Sequence, residues 1–263
     1  MRSLKINFEG DIFVYKELLT YHYYFLYYRA TLFINSNQHM SSFINTSIGK
    51  KFLISITGLF LISFLAVHLT VNLFLLAGQE SYNLVAHFMA TDVVISFMEP
   101  MLAIGFLLHI TYTVFLTITN QRNRPHKFAM VDQRETSSWP SRNMFLLGGL
   151  ILIFLVLHLS NFWYKMQFGE MDYILYGDIM VQDAYSLVTG KFIIWWYVLL
   201  YVAGAVLLGL HLLHGFQSAF LSLGLYNRVW RGRLMLIGTI YSIIIAAGFS
   251  VIPVYFLLDH LTG

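Results

Sequence analysis

Five long apolar runs constrain this chain more than any other feature of its sequence. A helix needs about 20 mostly apolar residues to cross a bilayer, and five stretches reach that length: 52–77, 97–119, 144–165, 192–222 and 234–258. None shows the two-residue alternation of barrel strands, and only 11% of the 263 residues are charged. The sequence therefore predicts an all-α integral membrane protein with five transmembrane helices. The fourth run is long, which predicts tilt or projection past the headgroups.

The chain contains no cysteine. This excludes disulfides, thiolate-ligated zinc or iron–sulfur centres and covalent haem attachment. Residues 1–39 show no helical period and no apolar stretch of signal-peptide length. They are interpreted as an upstream extension, with Met40 as the true start and 40–263 as the membrane domain. The alternative is an aromatic arm at the membrane interface.

The distribution of Lys and Arg predicts the orientation of the chain. The segment before span one and the loops after spans two and four carry six, five and three of these residues. The opposite side carries only Lys165 and Lys191, together with seven acidic residues. Because Lys and Arg concentrate in cytoplasmic loops, we expect the N-terminus inside and the C-terminus outside.

Histidines inside the spans are the candidate functional residues, since ionisable groups in a bilayer are costly and face the bundle interior. His68 and His158 lie late in spans one and three, which run outward, and therefore share an outer depth. His109, and His211 with its neighbour His214, lie late in spans two and four and share an inner depth. The rise of 1.5 Å per residue separates the two levels by about 10–15 Å.

Four helices with one histidine pair at each level suit two haems with two imidazole ligands each, which carry electrons and leave no position for oxygen. A metal site or proton relay would need the imidazoles clustered or chained, and any single histidine could simply bond a neighbouring helix. Gly58 and Gly148 lie ten residues before His68 and His158. That spacing places each glycine near the other level, where it would admit a flat macrocycle; ordinary helix packing is the alternative.

Two segments resemble a known family. The run from Ser55 to His68, SITGLFLISFLAVH, and the run HLLHGFQS from His211, with Gly224 beyond it, are similar to the dihaem cytochrome b subunit of succinate dehydrogenase and fumarate reductase. The similarity is to the five-helix b558 type and covers about 45–260. It implies that the first four helices form a bundle around two haem b groups.

The resemblance also implies a role for each residue. His68 would pair with His158, and His109 with His211, because the motif His-x-x-x-Gly selects His211 ahead of His214. His214 would serve a haem propionate or a backbone carbonyl, and Ser55 matches a position near a propionate.

The chain departs from the family at two positions. Gly209 stands where some quinol-oxidising relatives carry a proton-transferring glutamate. Ala90 aligns with the glutamate of the quinone site, which leaves His87, about one turn earlier, as the local substitute. An imidazole titrates near neutral pH and could exchange a proton with a quinone, although His87 could equally be a surface histidine.

The resemblance implies a multi-pass subunit of a bacterial inner membrane, attached on the cytoplasmic side to a flavoprotein and an iron–sulfur subunit. Electrons would pass between the iron–sulfur subunit and menaquinone, and the chain alone would not oxidise succinate. Basic residues would dock these partners or merely set the topology: Arg122, Arg124, Arg228, Arg231 and Arg233. No nucleic-acid partner is expected. The alternatives are the cytochrome b anchor of a hydrogenase or formate dehydrogenase, and a haem-free transporter.

Overall fold

The computed structural model describes residues 28–29, 46–122 and 138–263. The chain divides into two compact units, Met1–Lys50 and Lys51–Gly263, and every contact discussed below lies in the second. Apart from residues 28 and 29, the predicted extension 1–39 lies outside the described residues, so its boundary stays a prediction.

Helices make up nearly all of the described chain. In order, the elements are α1 (Ser47–Leu73), a 3-10 turn (Phe74–Ala77), α2 (Gln79–Thr91), α3 (Val93–Arg122), α4 (Trp139–Arg142), α5 (Met144–His158), a π-helical turn (Leu159–Trp163), α6 (Tyr164–Phe168), the antiparallel hairpin β1 (Tyr173–Tyr176) and β2 (Ile179–Gln182), α7 (Ala184–Phe192), α8 (Trp195–Ser222) and α9 (Arg231–Thr262).

In the part of the chain that the structure describes, five helical segments are long and apolar enough to cross a membrane, which confirms the predicted fold class. These segments, called spans one to five below, are Ser47–Ala77, Ile95–Arg122, Met144–Phe168, Trp195–Ser222 and Arg231–Thr262. Spans one, two, three and five cover their predicted runs and continue beyond them at one or both ends, whereas span four begins later than its run.

The fourth predicted run is wrong at its start. Residues up to Phe192 belong to α7, and span four begins only at Trp195. Ile194 between them is extended, with φ −92° and ψ 109°, so the chain turns there although its side chains remain apolar. Span four is still 28 residues long, so it keeps most of the length that predicted tilt or projection past the headgroups.

Span five lies against both span one and span four. Tyr241 of span five donates a hydrogen bond to a backbone carbonyl of span one, and a Cβ built on Gly248 would come within 2.8 Å of Leu69. A Cβ on Gly209 of span four would come within 2.8 Å of Ala246 in span five. Small residues at these positions let the helices approach closely.

A hydrogen-bonded cluster joins the two connections at one end of the bundle, between spans one and two and between spans three and four. Asp183 caps α7 by accepting from the Ser186 N–H at 3.2 Å. Its carboxylate also accepts from Asn83 at 3.0 Å and from Gln79 at 3.0 and 3.1 Å. Asn83, 0% exposed, accepts in turn from the Tyr185 N–H at 2.8 Å. We call this end, formed by α2, the hairpin and α7, the cap.

We expect Asp183→Ala to lower the free energy of unfolding by about 1–3 kcal/mol, because it leaves buried donors without a partner. Thermal unfolding of the detergent-solubilised protein measures the change. Glu170→Ala, which removes an exposed carboxylate near the cap, is the control. An equal loss in both variants would contradict a stabilising role for the cluster.

The cluster also predicts a pH dependence. Burial raises the pKa of Asp183, but hydrogen bonds from Ser186, Asn83 and Gln79 outweigh it and bring the pKa below its ordinary 3.8. A carboxylate with a depressed folded-state pKa stabilises the fold above its unfolded pKa, and this stabilisation is lost as the pH falls through the folded value. The free energy of unfolding of the wild type should therefore decrease as the pH is lowered below 3.8. Asp183→Asn, which has no carboxylate at this position, should lack that part of the decrease.

Candidate functional site

The structure brings His68 of span one beside His158 of span three. Their ring centroids are 5.8 Å apart and the ring planes are nearly perpendicular, at 88°. Two imidazoles that bind one metal ion through bonds of about 2 Å have centroids about 6 Å apart. The centroid distance of this pair is therefore close to the spacing that two imidazole ligands of one ion would have. We call this depth of the bundle the His68 level.

Aromatic rings surround the His68 level from four helices. Phe64 stacks on His68 with a 5.2 Å centroid distance, and Phe249 of span five lies 5.6 Å from the same imidazole. Around His158, within 6.0 Å of its ring, are Phe154, Phe162 and Tyr201. These rings give the pair apolar walls, and electrostatic interactions are stronger in such surroundings than in water.

The second predicted pair lies against the two glycines. A Cβ built on Gly58 of span one would come within 3.3 Å of the His109 imidazole, and a Cβ on Gly148 of span three within 3.6 Å of His211. Gly58 and Gly148 each precede a histidine of the His68 level by ten residues, which is about 15 Å of helix. His211 is also within electrostatic range of His109. This second depth is called the His109 level.

The Nδ1 atoms of the four histidines differ in their neighbours. Nδ1 of His109 lies 3.4 Å from the Thr57 hydroxyl, which donates its own proton to the backbone of span one. Nδ1 of His68 lies 3.5 Å from the Asn72 amide. In the described part of the chain, Nδ1 of His158 and of His211 is buried without a hydrogen-bond partner. A histidine that binds a metal through one ring nitrogen normally donates the N–H of the other nitrogen to a hydrogen-bond acceptor.

The remaining predicted residues lie around these levels. Ser55, 3% exposed, is one turn before Gly58 and donates to the Lys51 carbonyl at 2.9 Å. His214 is half-buried, less than one turn from His211. His87 lies in α2, outside the spans, and within the described ranges no hydrogen bond or ring contact joins its imidazole to the His68 level.

Glu99 is a residue that sequence reasoning missed. Its Oε1 accepts a 2.7 Å hydrogen bond from the Trp163 indole, which joins spans two and three. Glu99 precedes His109 by ten residues and therefore lies near the depth of the His68 level. A carboxylate inside a predicted span was the available signal. The contact itself depends on the π turn that follows His158, a feature often found at functional sites.

The pairs of imidazoles at the two levels have the donor chemistry that a haem with two histidine ligands would require. In the ranges that the structure describes, no group of three or more His, Cys, Asp or Glu side chains could hold one ion. Each level instead offers two imidazoles, and glycines leave room beside the backbone at the His109 level. No family model, curated protein or solved structure matches this chain, so the functional interpretation depends on this arrangement.

The two adjacent glycines of span three provide a matched test of the room at the His109 level. We expect Gly148→Val to displace the His211 imidazole. A Cβ built on Gly148 would already lie 3.6 Å from that ring, and the rest of the valine side chain would extend into the same space. Gly149→Val is the control, because a Cβ built on Gly149 would have nothing within 4 Å and the substitution changes helix propensity by the same amount. Were each level to hold a haem, Gly148→Val would lose one haem per chain and Gly149→Val would keep both, as measured by haem extraction. Equal haem content would contradict this prediction.

Proposed function

We propose that this chain is the membrane anchor and electron-transfer subunit of a succinate:quinone oxidoreductase. It would hold two haem b groups, one between His68 and His158 and one between His109 and His211. Electrons would pass through them between an iron–sulfur subunit and menaquinone. The chain would not oxidise succinate by itself.

The observation that carries the proposal is the 5.8 Å separation of His68 and His158. Spans one and three supply the two histidines of that pair. The same two helices place Gly58 against the His109 imidazole and Gly148 against the His211 imidazole. Isolated hydrogen-bonding histidines have no need to pair at two depths about 15 Å apart. Succinate as the electron donor is supported by the similarity of the SITGLFLISFLAVH run to the dihaem cytochrome b subunit of succinate dehydrogenase and fumarate reductase.

A haem held by two imidazoles would supply a one-electron carrier. The protein's own residues would hold and insulate it. The helices would orient the imidazoles, the glycines would keep the backbone clear, and the phenylalanines at the His68 level would exclude water. Thr57 is placed to accept a hydrogen bond from Nδ1–H of His109 at 3.4 Å, which would leave Nε2 of that ring as the ligand atom.

The orientation is part of the proposal. The excess of Lys and Arg before span one and after spans two and four supports an inside location for those segments. The His109 level then faces the cytoplasm of a bacterium and the soluble partners, and the His68 level with the cap faces outward. Arg231 and Arg233, in the first turn of span five, lie over the rings of Tyr226 and Trp230, which holds positive charge at the surface proposed for docking.

The proposed quinone site lies at the outer end. Glu99 is better suited than His87 to exchange a proton with a quinone, because it lies at the depth of the His68 level and on the exposed surface between spans two and three. A lipid-soluble substrate reaches that surface directly from the bilayer. His87 stays the second candidate for this role.

The experiment that tests the proposal is purification of the native complex with its partner subunits. We expect two haems per chain, a low-spin bis-imidazole spectrum and succinate–menaquinone activity. A haem-free preparation would overturn the proposal and favour a transporter. Two haems without a succinate-oxidising flavoprotein would favour the anchor of a hydrogenase or formate dehydrogenase.

Single histidine variants test the pairing. Replacing His68 or His158 by alanine should remove one haem, and replacing His109 or His211 should remove the other, because a lost axial ligand leaves the macrocycle with one protein bond. Spectra of the single-haem variants identify which haem is lost. His214→Ala is the control and should keep both. Loss of a haem in His214→Ala with both retained in His211→Ala would reverse the span-four assignment.

Glu99→Gln tests the proposed proton-exchanging group. Removing a general acid–base group typically lowers turnover by about 100-fold or more, so we expect quinone turnover to fall by about that factor with haem content unchanged. His87→Gln is the matched variant and should retain most of the activity. If His87→Gln loses the activity and Glu99→Gln keeps it, His87 is the proton-exchanging residue.

A further inference from the structure

Two unpartnered polar atoms lie on neighbouring side chains at the His68 level. Nδ1 of His158 and the hydroxyl of Tyr201 are both buried, and neither has a hydrogen-bond partner among the residues described. The two rings are 6.0 Å apart and tilted by 57°. Buried polar groups are nearly always hydrogen-bonded in folded proteins, so two such exceptions side by side indicate an interaction that requires a further component.

The position of Tyr201 is fixed by packing. Its side chain is 7% exposed, and it contacts the rings of Phe154 at 5.1 Å, Phe192 at 5.3 Å and Phe162 at 5.7 Å. A phenylalanine would make the same ring contacts. The hydroxyl is therefore not required for this packing, and a buried hydroxyl without a partner costs stability.

A third polar group lies close to the same hydroxyl. Asn161, three residues after His158, lies beside the Tyr201 oxygen, although no hydrogen bond of acceptable geometry joins them. Asn161 instead accepts from the hydroxyl of Tyr197 at 3.2 Å. Tyr197 is one turn before Tyr201 on span four, and the two rings are nearly parallel, with planes 26° apart.

We propose that Tyr201 is a positioning residue, which accepts a hydrogen bond from Nδ1–H of His158 when Nε2 of that histidine binds haem iron. This inference rests on the proposed function. The two unpartnered atoms lie on adjacent rings whose centroids are 6.0 Å apart, and Tyr201 would donate its own proton towards Asn161. The role matches that of Thr57 beside His109, where the hydroxyl lies 3.4 Å from Nδ1.

Such a hydrogen bond has a chemical consequence as well as a geometric one. A partner that accepts from the second nitrogen makes an imidazole more basic and a stronger ligand. A stronger nitrogen donor favours ferric over ferrous iron and therefore lowers the reduction potential. The effect should be confined to the haem of the His68 level, since Tyr201 contacts His158 and neither histidine of the other level among the described contacts.

The test is Tyr201→Phe with Tyr197→Phe as the matched control, each combined with His211→Ala so that only the haem of the His68 level remains. We expect Tyr201→Phe to shift the equilibrium of that haem about tenfold towards the ferrous state, which is an increase of about 59 mV for one electron. Tyr197→Phe should leave the potential within error of the parent. An unchanged potential in Tyr201→Phe, or an equal shift in both variants, would overturn the inference.

A second measurement separates this role from simple packing. In haem-free protein, Tyr201→Phe removes an unpartnered hydroxyl and should leave the thermal unfolding temperature unchanged or raise it. With haem bound, the same change should lower it. Destabilisation of the haem-free protein would show that the hydroxyl serves the fold and would overturn the inference. Failure of the wild-type protein to bind haem overturns the proposed function itself, and this inference with it.

Discussion

An imidazole inside a membrane-spanning bundle has two ring nitrogens, of which one donates and the other accepts when the ring is neutral. Water is scarce in that environment, and a buried group without a partner costs about 1–3 kcal/mol. The four histidines of the bundle meet this requirement unequally. Thr57 lies beside Nδ1 of His109 and Asn72 beside Nδ1 of His68. Nδ1 of His158 and of His211 is buried without a partner among the described residues.

The second constraint is the regular rise of a helix. Ten residues separate Gly58 from His68 and Gly148 from His158, so the same two helices that supply ligands at one level leave an opening at the other. Neighbouring helices run in opposite directions, which brings His109 and His211 to those openings. Two sites therefore arise from four helices without a loop contributing to either, and span five supports the His68 level through Phe249.

Sequence reasoning reached the features that depend on composition and on helical geometry. Five spans follow from apolar length, and the relative depths of the histidines follow from a fixed rise and alternating direction. Features that depend on contacts between distant segments were not predicted. The cap depends on Asp183 meeting Asn83, 100 residues earlier, and the Glu99–Trp163 bond joins residues 64 apart. The break at Ile194 was not predicted, because apolar side chains continue through it and only the backbone changes direction.

The two levels have different surroundings, and that difference bears on the proposed electron transfer. The buried apolar core gathers at the His68 end, where Phe162, Phe192 and Tyr201 meet span five and the cap. The His109 level instead has glycine on two sides and the polar Thr57 beside one imidazole. Burial and hydrogen bonding to the axial ligands are the means by which a protein sets haem potentials. Two chemically identical haems would therefore have different potentials in this bundle, and that difference would set the driving force of the electron transfer between them.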